Sequence, residues 1–301
     1  MRKKVRFTSG DAECAAWFYP GSTGACVIMA GGFGVTKEPG TDAFAARFND
    51  AGFAVLAFDY RRIGESTGRP RQVAGVRDSL ADWQAAIDFA PTLPGVDPAR
   101  IAIWGFSASG GHIFRAVAAN PQLAAAIAQT PIADGMTSSA SSGRYQTPPA
   151  LLRFMARAVA DVVGRRLGRP PRLVPLVGQP GTVAVLATPD ALDGNRALDP
   201  DNRYSSWQQE MAAGSALGIV FYRPGRVAPR VRVPLLVVVA DDDRSVLAAP
   251  AVTAAGRAPH SELVRVPGGH YAPFLDAHEK VVSEEVAFLH RHVAAPVKAS
   301  T

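Results

Sequence analysis

The stretch 101–112, Ile-Ala-Ile-Trp-Gly-Phe-Ser-Ala-Ser-Gly-Gly-His, constrains the fold of this chain more than any other. An apolar, β-prone run ends in small residues around Ser107, and an apolar helical segment follows at 113–119. The pattern predicts a strand, a sharp turn with Ser107 at its apex, and a helix. Such a turn is strained and needs small neighbours, which Gly105 and Ser109 provide. It also aims the first amides of the helix at the space above the hydroxyl, where they can stabilise an oxyanion.

Strands alternate with helices through most of the chain. The short apolar runs expected to be strands are 25–30, 54–60, the run that begins at 101, 123–129, 234–240 and 262–266. Alternation of this kind predicts an α/β fold with a parallel, doubly wound sheet. An initial hairpin, expected at 3–8 and 13–19, makes the sheet mixed but mostly parallel.

The alternation stops near residue 130 and resumes only at 234. Inserted segments of this length are uncommon in compact domains unless they are structured or functional. We therefore predict a mainly helical cap or lid at 131–232, inserted into a core formed by 1–130 and 233–301. Within the insertion, 149–167 has the pattern of an amphipathic helix whose apolar face is expected to pack against a pocket or the core. That face contains Leu151, Leu152, Met155, Val159, Val162 and Val163.

The composition fits one sizeable domain, because the chain has 301 residues and 48% of them are hydrophobic. No apolar run approaches the roughly 20 residues that span a membrane. The basic N-terminus leads into a short alternating strand and lacks the features of a signal peptide. Cys14 and Cys26 fall in predicted strands and are interpreted as buried thiols, and no cysteine–histidine spacing indicates zinc. We expect a cytoplasmic protein without a metal, a cofactor or a membrane partner.

Positive charge is concentrated in residues 151–232. This segment has 12 arginines, no lysine and 6 acidic residues, so it carries the whole net charge of +6. Nucleic-acid binding is disfavoured, because the arginines are scattered and no nucleic-acid motif accompanies them. Recognition of an acidic substrate or carrier and a merely solvated arginine-rich surface both remain open.

Side chains that can act in catalysis follow two further predicted strands. The aspartates 241–243 come directly after the strand predicted at 234–240, and His270 comes directly after the next one. The carboxyl ends of parallel strands meet at one edge of the sheet, where Ser107 is also expected. A histidine there can take the proton of a serine hydroxyl and return it to a leaving group. A carboxylate would orient the imidazole and stabilise its protonated form.

Four runs of this sequence resemble the α/β-hydrolase superfamily of serine hydrolases. They are Gly-Phe-Gly-Val-Thr-Lys at 32–37, Phe-Asp-Tyr-Arg at 58–61, Leu-Pro-Gly-Val-Asp-Pro-Ala-Arg-Ile-Ala-Ile-Trp-Gly at 93–105, and Ser-Gly-Gly-His at 109–112. The turn at Ser107 looks like the Gly-x-Ser-x-Gly nucleophile elbow of this fold, with Ser109 at the fifth position. The likeness is to bacterial dienelactone-hydrolase and acetyl-xylan-esterase-like proteins and to fungal polyketide transferases. A true dienelactone hydrolase usually has a cysteine nucleophile, so Ser107 argues against that activity.

The resemblance implies the α/β-hydrolase fold and a role for each residue of the site. Ser107, Asp243 and His270 stand in the chain order of this fold. The acid is commonly the last residue of such an aspartate cluster, with an apolar residue a few positions on, and Val246 fits. Asp134 is the alternative, because some members carry the acid after the preceding strand.

The resemblance also implies an oxyanion hole. We assign it to the backbone amides of Phe33 and Ala108. Many relatives have a histidine that supports this loop at the position of Gly31, and its loss is expected to loosen the hole without removing the donors.

These inferences predict a serine hydrolase that cleaves a small-molecule carboxylic ester or thioester through an acyl-enzyme. The alternative is an acyltransferase or thioesterase of the polyketide type with the same three side chains, served by an acyl carrier. A non-catalytic scaffold is the third interpretation, against which the intact serine, aspartate and histidine argue.

Overall fold

The structure, a computed structural model, describes residues 1–294 and contains a large mixed sheet. The strands in this part of the chain are β1 (Lys3–Ser9), β2 (Ala12–Tyr19), β3 (Cys26–Ala30), β4 (Ala54–Phe58), β5 (Ile101–Phe106), β6 (Ala125–Gln129), β7 (Leu173–Pro175), β8 (Glu210–Ala212), β9 (Leu235–Ala240) and β10 (Ser261–Val266). Eight of them form one sheet in the order β1-β2-β4-β3-β5-β6-β9-β10, and β7 pairs with β8. In the large sheet β2 alone runs against the other strands and pairs antiparallel with β1 and β4, so the predicted mostly parallel sheet with an initial hairpin is confirmed.

Helices flank the large sheet. They are α1 (Asp42–Asp50), α2 (Val76–Phe89), α3 (Ala108–Ala119), α4 (Gly135–Gly143), α5 (Pro148–Arg166), α6 (Ala191–Leu198), α7 (Ala213–Val220), α8 (Ala248–Ala255) and α9 (His278–Leu289). Every residue of β3, β5, β6 and β9 is buried. Burial on both faces explains why these strands read as continuous apolar runs.

The register of the sheet aligns the ends of the strands that precede the site. Phe106 at the end of β5 pairs with Gln129 at the end of β6, and Ala240 at the end of β9 pairs with Val266 at the end of β10. Ala30 at the end of β3 pairs with Gly105. The loops that follow β3, β5, β9 and β10 therefore open at one edge, as expected for sites in parallel sheets.

The segment 131–232 contains α4 to α7 and the small β7–β8 sheet. Its last stretch, a 3-10 helix at Pro224–Arg230, packs against α3 and α8, which belong to the layers around the large sheet. The division into a cap at 131–232 and a core at 1–130 and 233–301 stays a prediction. Residues 295–301 of that core lie outside the described residues.

Helix α5 packs only in part as its apolar face predicts, because Leu151 and Met155 of that face line a cavity. The residues that the helix buries are Ala150, Ala158, Asp161 and Gly164. The rest of the predicted inner face is open: Leu152 is 71% exposed, Val159 53% and Val163 49%. The physical reason is a polar contact, because the Asp161 carboxylate accepts hydrogen bonds from the backbone amides of Arg172 (2.8 Å) and Gly214 (3.0 Å). Those bonds turn the small residues of α5 inward.

The two cysteines are buried free thiols, as predicted. Burial raises the pKa of the Cys26 thiol to about 12, so it stays protonated at neutral pH. No helix in residues 1–294 is both long and apolar enough to cross a lipid bilayer.

Candidate active site

The turn between β5 and α3 holds Ser107 in a backbone conformation that non-glycine residues rarely adopt, with φ 58° and ψ −115°. Its amide donates to the Gln129 carbonyl (2.9 Å), and its carbonyl accepts from the Ile132 amide (3.0 Å). A Cβ atom at Gly105 would lie 2.6 Å from the backbone carbon of Ser109, so only glycine fits there. The turn is therefore fixed by the end of β6 and the residues that follow it, and the predicted need for small residues has a steric cause.

His270 links Ser107 to Asp243. Its Nε2 lies 2.9 Å from the Ser107 Oγ, and its Nδ1 lies 2.7 Å from the Asp243 Oδ2. An ionised carboxylate only accepts hydrogen bonds, so Nδ1 carries the proton and Nε2 is free to accept from the serine hydroxyl. The structure brings the three predicted side chains together, and all three are buried.

The position of Asp243 depends on the loop after β9. Its Oδ1 accepts hydrogen bonds from the amides of Ser245 (2.9 Å) and Val246 (2.6 Å). These bonds leave Oδ2 for His270 and fix the direction of the carboxylate. The Val246 position, which sequence resemblance singles out as apolar, contributes its backbone amide to this arrangement.

The other candidate acids have different partners. Asp134 accepts from the Thr137 amide at the start of α4 and forms an ion pair with Arg223 at 2.6 Å. Partial burial raises the pKa of its carboxyl, but these partners outweigh burial and lower the pKa below the ordinary value. Asp241 pairs with Arg265 (2.7 Å), and Asp242 accepts from the Gly268 amide (3.3 Å). The carboxylates of Asp134, Asp241 and Asp242 therefore bind partners other than the His270 ring.

The loop after β3 lies against the elbow. A Cβ at Gly32 would be 3.2 Å from the Ser107 Cβ, which places the loop beside the serine. Within residues 1–294, the N–H of Phe33 donates to no protein acceptor. Ala108 is the first residue of α3, where an amide has no acceptor within the helix. Both amides assigned to the oxyanion hole from the sequence are therefore unpaired donors on elements that flank Ser107.

The hydroxyl groups of Ser109 and Tyr60 support the loop after β3. The Ser109 Oγ donates a short hydrogen bond to the Gly31 carbonyl and lies 2.5 Å from the Tyr60 hydroxyl. Because the single Ser109 proton points to Gly31, Tyr60 is the donor in the second bond. The sequence identified Ser109 only as a small residue. Its contact with Gly31 was missed, and that contact supplies support where relatives use a histidine.

A buried lysine holds the far end of the same loop. Lys37 Nζ contacts the Asp59 carboxylate at 3.0 Å and the Glu65 carboxylate at 2.7 Å, and the Lys37 amide donates to Asp59 at 2.7 Å. Partial burial raises the pKa of Glu65, but hydrogen bonds from Lys37 and Lys4 outweigh it and lower the pKa to about 2. This network was not predicted from the sequence, although Asp59 directly follows β4 and Lys37 lies in the loop after the neighbouring strand β3.

Residues around His270 complete the site. Asp190, from the loop before α6, accepts a hydrogen bond from the His270 amide at 3.3 Å. The Phe106 ring lies 5.0 Å from the imidazole, centroid to centroid. No sequence signal marked Asp190, because it is more than 50 residues from any other site residue. His112 is buried with its Nδ1 2.9 Å from the Tyr222 hydroxyl, and burial lowers its pKa to about 3.

A cavity of about 210 Å³ opens beside Ser107 and His270. Its walls come from the loop after β3 and from α4, α5, α7 and the segment around β7. Most of the lining residues are apolar. Besides Ser107 and His270, the lining carries the polar side chains Ser138, Ser139, Ser142, Gln146, Asn195 and Ser245. Among the described residues that line it, none is Asp, Glu, Lys or Arg. The arginines of 151–232 therefore place no cation in this cavity.

Comparison with known proteins identifies relatives over nearly the whole chain. Residues 21–276 match the family described as "Serine aminopeptidase, S33". The "Quorum-quenching protein AidA" of Acinetobacter baumannii (strain MDR-ZJ06) is 38% identical over 298 residues, which cover 98% of this chain and 95% of AidA. The "Polyketide transferase grgF" of Penicillium sp. is 30% identical over 184 residues, 60% of each chain.

The fold also matches a solved structure. The crystal structure of the α/β hydrolase GrgF from Penicillium sp. sh18 aligns with a TM-score of 0.79 and 24% identity. The alignment covers 98% of this chain and 100% of the other. The segment 131–232 is thus part of a fold that both chains share from end to end.

Proposed function

This chain belongs to the serine aminopeptidase S33 family of α/β hydrolases and is an enzyme of the ester-hydrolase kind, and from that premise we propose that it cleaves a carboxylic ester or thioester through an acyl-enzyme on Ser107. The observation that carries the proposal is the continuous chain of contacts from the Ser107 Oγ through His270 to Asp243, at 2.9 and 2.7 Å. A serine hydroxyl needs an adjacent general base to act as a nucleophile at neutral pH.

In the first half of the reaction, Ser107 attacks the carbonyl carbon of the substrate while His270 Nε2 takes the hydroxyl proton. The carbonyl oxygen becomes an oxyanion that the amides of Phe33 and Ala108 stabilise. Asp243 holds the imidazole in the tautomer that can accept this proton, and it stabilises the imidazolium. His270 then returns the proton to the alcohol or thiol that leaves.

In the second half, water attacks the acyl-enzyme and releases the acid. His270 now takes a proton from the water and returns it to Ser107. The same two amides stabilise the second oxyanion. No metal or organic cofactor takes part in either half of this proposed mechanism.

The cavity indicates the substrate class. Burying a charge without a partner is costly, and the described lining provides no ionic partner for one. An acyl group that is uncharged and mostly apolar therefore fits best, with hydroxyl or amide groups tolerated near Ser138, Ser139, Ser142 and Gln146. Thioesters and oxygen esters share the acyl group and differ only in the leaving atom.

Acyl transfer is the second candidate. The similarity to a protein named polyketide transferase favours it, because an alcohol or amine in place of water would turn the same acyl-enzyme into a transferase. Delivery of the acyl group by a carrier would also explain the positive charge of 151–232.

Turnover of a p-nitrophenyl ester by the purified protein tests the enzyme proposal. Release of one acid per ester without other products supports hydrolysis, and a transfer product formed with added alcohol supports acyl transfer. No turnover of folded protein on a panel of esters and thioesters would favour the scaffold interpretation.

Met155 borders the cavity, whereas its neighbour Leu152 is 71% exposed and does not. Met155→Ala is expected to enlarge the acyl site and shift kcat/KM towards longer p-nitrophenyl esters by about tenfold, the order of one to two methylene groups in a hydrophobic pocket. Leu152→Ala is the matched control and should leave the chain-length profile unchanged. A Met155→Ala variant that only loses thermal stability would show that α5 does not select the acyl group.

Ser109 and Tyr60 are expected to position the oxyanion loop. Ser109→Ala removes the donor to Gly31 and should lower kcat by roughly tenfold to a hundredfold with little change in KM, less than the loss of an oxyanion donor itself. Tyr60→Phe should give a smaller effect in the same direction. Tyr222→Phe, which removes a buried hydroxyl beside His112, is the control and should keep kcat. Equal losses in all three variants would assign Ser109 to general packing.

A further inference from the structure

The outer face of α5 is an apolar surface without a partner in the described chain. We define it as Leu151, Leu152, Met155, Val159 and Val163, which are 40% to 71% exposed. Successive members are separated by one, three or four residues, so they form a stripe along the helix. Leu167, 68% exposed, extends this stripe beyond the last turn. An exposed apolar stripe of this length on one helix is unusual for a surface in contact with water only.

The charges on α5 have one sign. Arg153, Arg157 and Arg166 are exposed, and Arg169 and Arg172 follow directly after the helix. The only acidic residue of the helix, Asp161, is buried and paired with Arg165 at 3.0 Å. By helical spacing, Arg166 lies within the arc of the stripe and Arg153 lies beside its Leu167 edge, whereas Arg157 lies on the opposite side of the helix. The stripe therefore has cations at its end and along one edge, and the helix has no exposed carboxylate.

We propose that the α5 face docks on an anionic lipid bilayer and lies in the headgroup region with its axis along the surface. Amphipathic helices with apolar side chains on one face and arginines beside them bind membranes in this way, without crossing them. The contact is with the bilayer surface, since no helix in residues 1–294 could cross a bilayer. The proposal departs from the sequence-based expectation of no membrane partner, which rested on the lack of a spanning run.

Charge favours a lipid surface over a second copy of this chain. In a two-fold dimer through this face, each α5 would meet an identical α5, so exposed arginines would approach exposed arginines. The helix offers no exposed carboxylate to neutralise them. An anionic bilayer supplies the missing negative charge over the whole face, at about fivefold in affinity for each arginine near the surface.

The α5 face is continuous with the cavity. Leu151 and Met155 belong to the face and also line the cavity beside Ser107. A bilayer seated on α5 would therefore bring its apolar interior close to the cavity entrance. An acyl substrate dissolved in the bilayer could reach the site with little exposure of its apolar part to water.

Cosedimentation of the full chain with lipid vesicles tests this proposal. We expect binding to vesicles of phosphatidylcholine and phosphatidylglycerol that weakens as salt rises, and much weaker binding to phosphatidylcholine alone. The triple variant Arg153→Gln, Arg166→Gln, Arg169→Gln should bind roughly a hundredfold less tightly. The double variant Leu152→Glu, Val159→Glu should not bind, because it places carboxylates in the apolar stripe.

Matched control variants carry the same kinds of substitution at exposed positions outside α5. Leu263 on β10 is 39% exposed, and Arg257 is exposed after α8, so Leu263→Glu and Arg257→Gln should bind as the wild type does. Turnover of a short, water-soluble ester should be the same in all these variants, which shows that each is folded. Equal binding by the double variant, or no binding by the wild type at low salt, would overturn the proposal. A dimer in light scattering that the double variant turns into a monomer would overturn it in favour of self-association.

Discussion

Replacing Ser107 by alanine is expected to lower kcat for ester cleavage by roughly 10⁶-fold, the order seen when the nucleophile of such a site is removed. Some rate enhancement should remain, because the two loop amides still stabilise an oxyanion formed by direct attack of water. The variant removes one oxygen and leaves the backbone bonds to Gln129 and Ile132 in place. Its thermal unfolding midpoint should therefore stay close to that of the wild type.

A fluorophosphonate probe measures the same property without a known substrate. The general base and the oxyanion donors that serve ester cleavage also serve phosphonylation, so one probe per chain should attach to the peptide that contains Ser107. Ser107→Ala should abolish labelling. Ser138→Ala, which removes another serine of the cavity wall, is the control and should keep it. Labelling of Ser109 would place the nucleophile two residues further on, and no labelling of folded wild type would contradict the hydrolase proposal.

The sheet could be predicted because each of its strands can be recognised from its own short stretch of sequence. A strand that is buried on both faces reads as a short apolar run, and its length and turn signals separate it from a helix. The edge where the loops after β5, β9 and β10 meet then follows from the parallel arrangement. Ser107, Asp243 and His270 could be placed together for this reason, although they are far apart in the chain.

The support of the site could not be predicted, because it depends on contacts between distant elements. Ser109 reaches Gly31, and Asp190 reaches His270, only after the sheet and the segment 131–232 have assembled. Small or acidic residues in loops carry no signal for such bonds. Lys37 could have been found, since a lysine in a loop between buried elements needs an anionic partner and Asp59 directly follows the neighbouring strand β4.

The packing of α5 shows what the spacing of apolar residues in a helix cannot predict. A pattern of apolar residues predicts which side chains share a face of a helix, but not what covers that face. In α5 a buried Asp161 competes with the apolar stripe, and its bonds to the amides of Arg172 and Gly214 decide the orientation. An aspartate on the polar face among arginines looks like a solvated residue in the sequence, so the competition is invisible there.

Asp243→Asn is expected to lower kcat by about 10⁴-fold, the order known when the acid of such a site becomes an amide. Asparagine can still accept from the amides of Ser245 and Val246 through its oxygen. Its NH₂ group would then face His270 Nδ1 and donate to it, so the imidazole would carry its proton on Nε2. In that tautomer Nε2 cannot accept the proton of Ser107.

Two aspartates serve as controls for this change. Asp242→Asn alters the adjacent residue, whose carboxylate accepts from the Gly268 amide, and should change kcat by less than about tenfold. Asp134→Asn loses an ion pair with Arg223, which is partly exposed, and should cost at most about 1 kcal/mol of stability with little effect on turnover. Steady-state kinetics and thermal unfolding of the three variants, measured side by side, separate catalysis from stability. A large loss of kcat in Asp134→Asn with Asp243→Asn still active would move the acid to the end of β6.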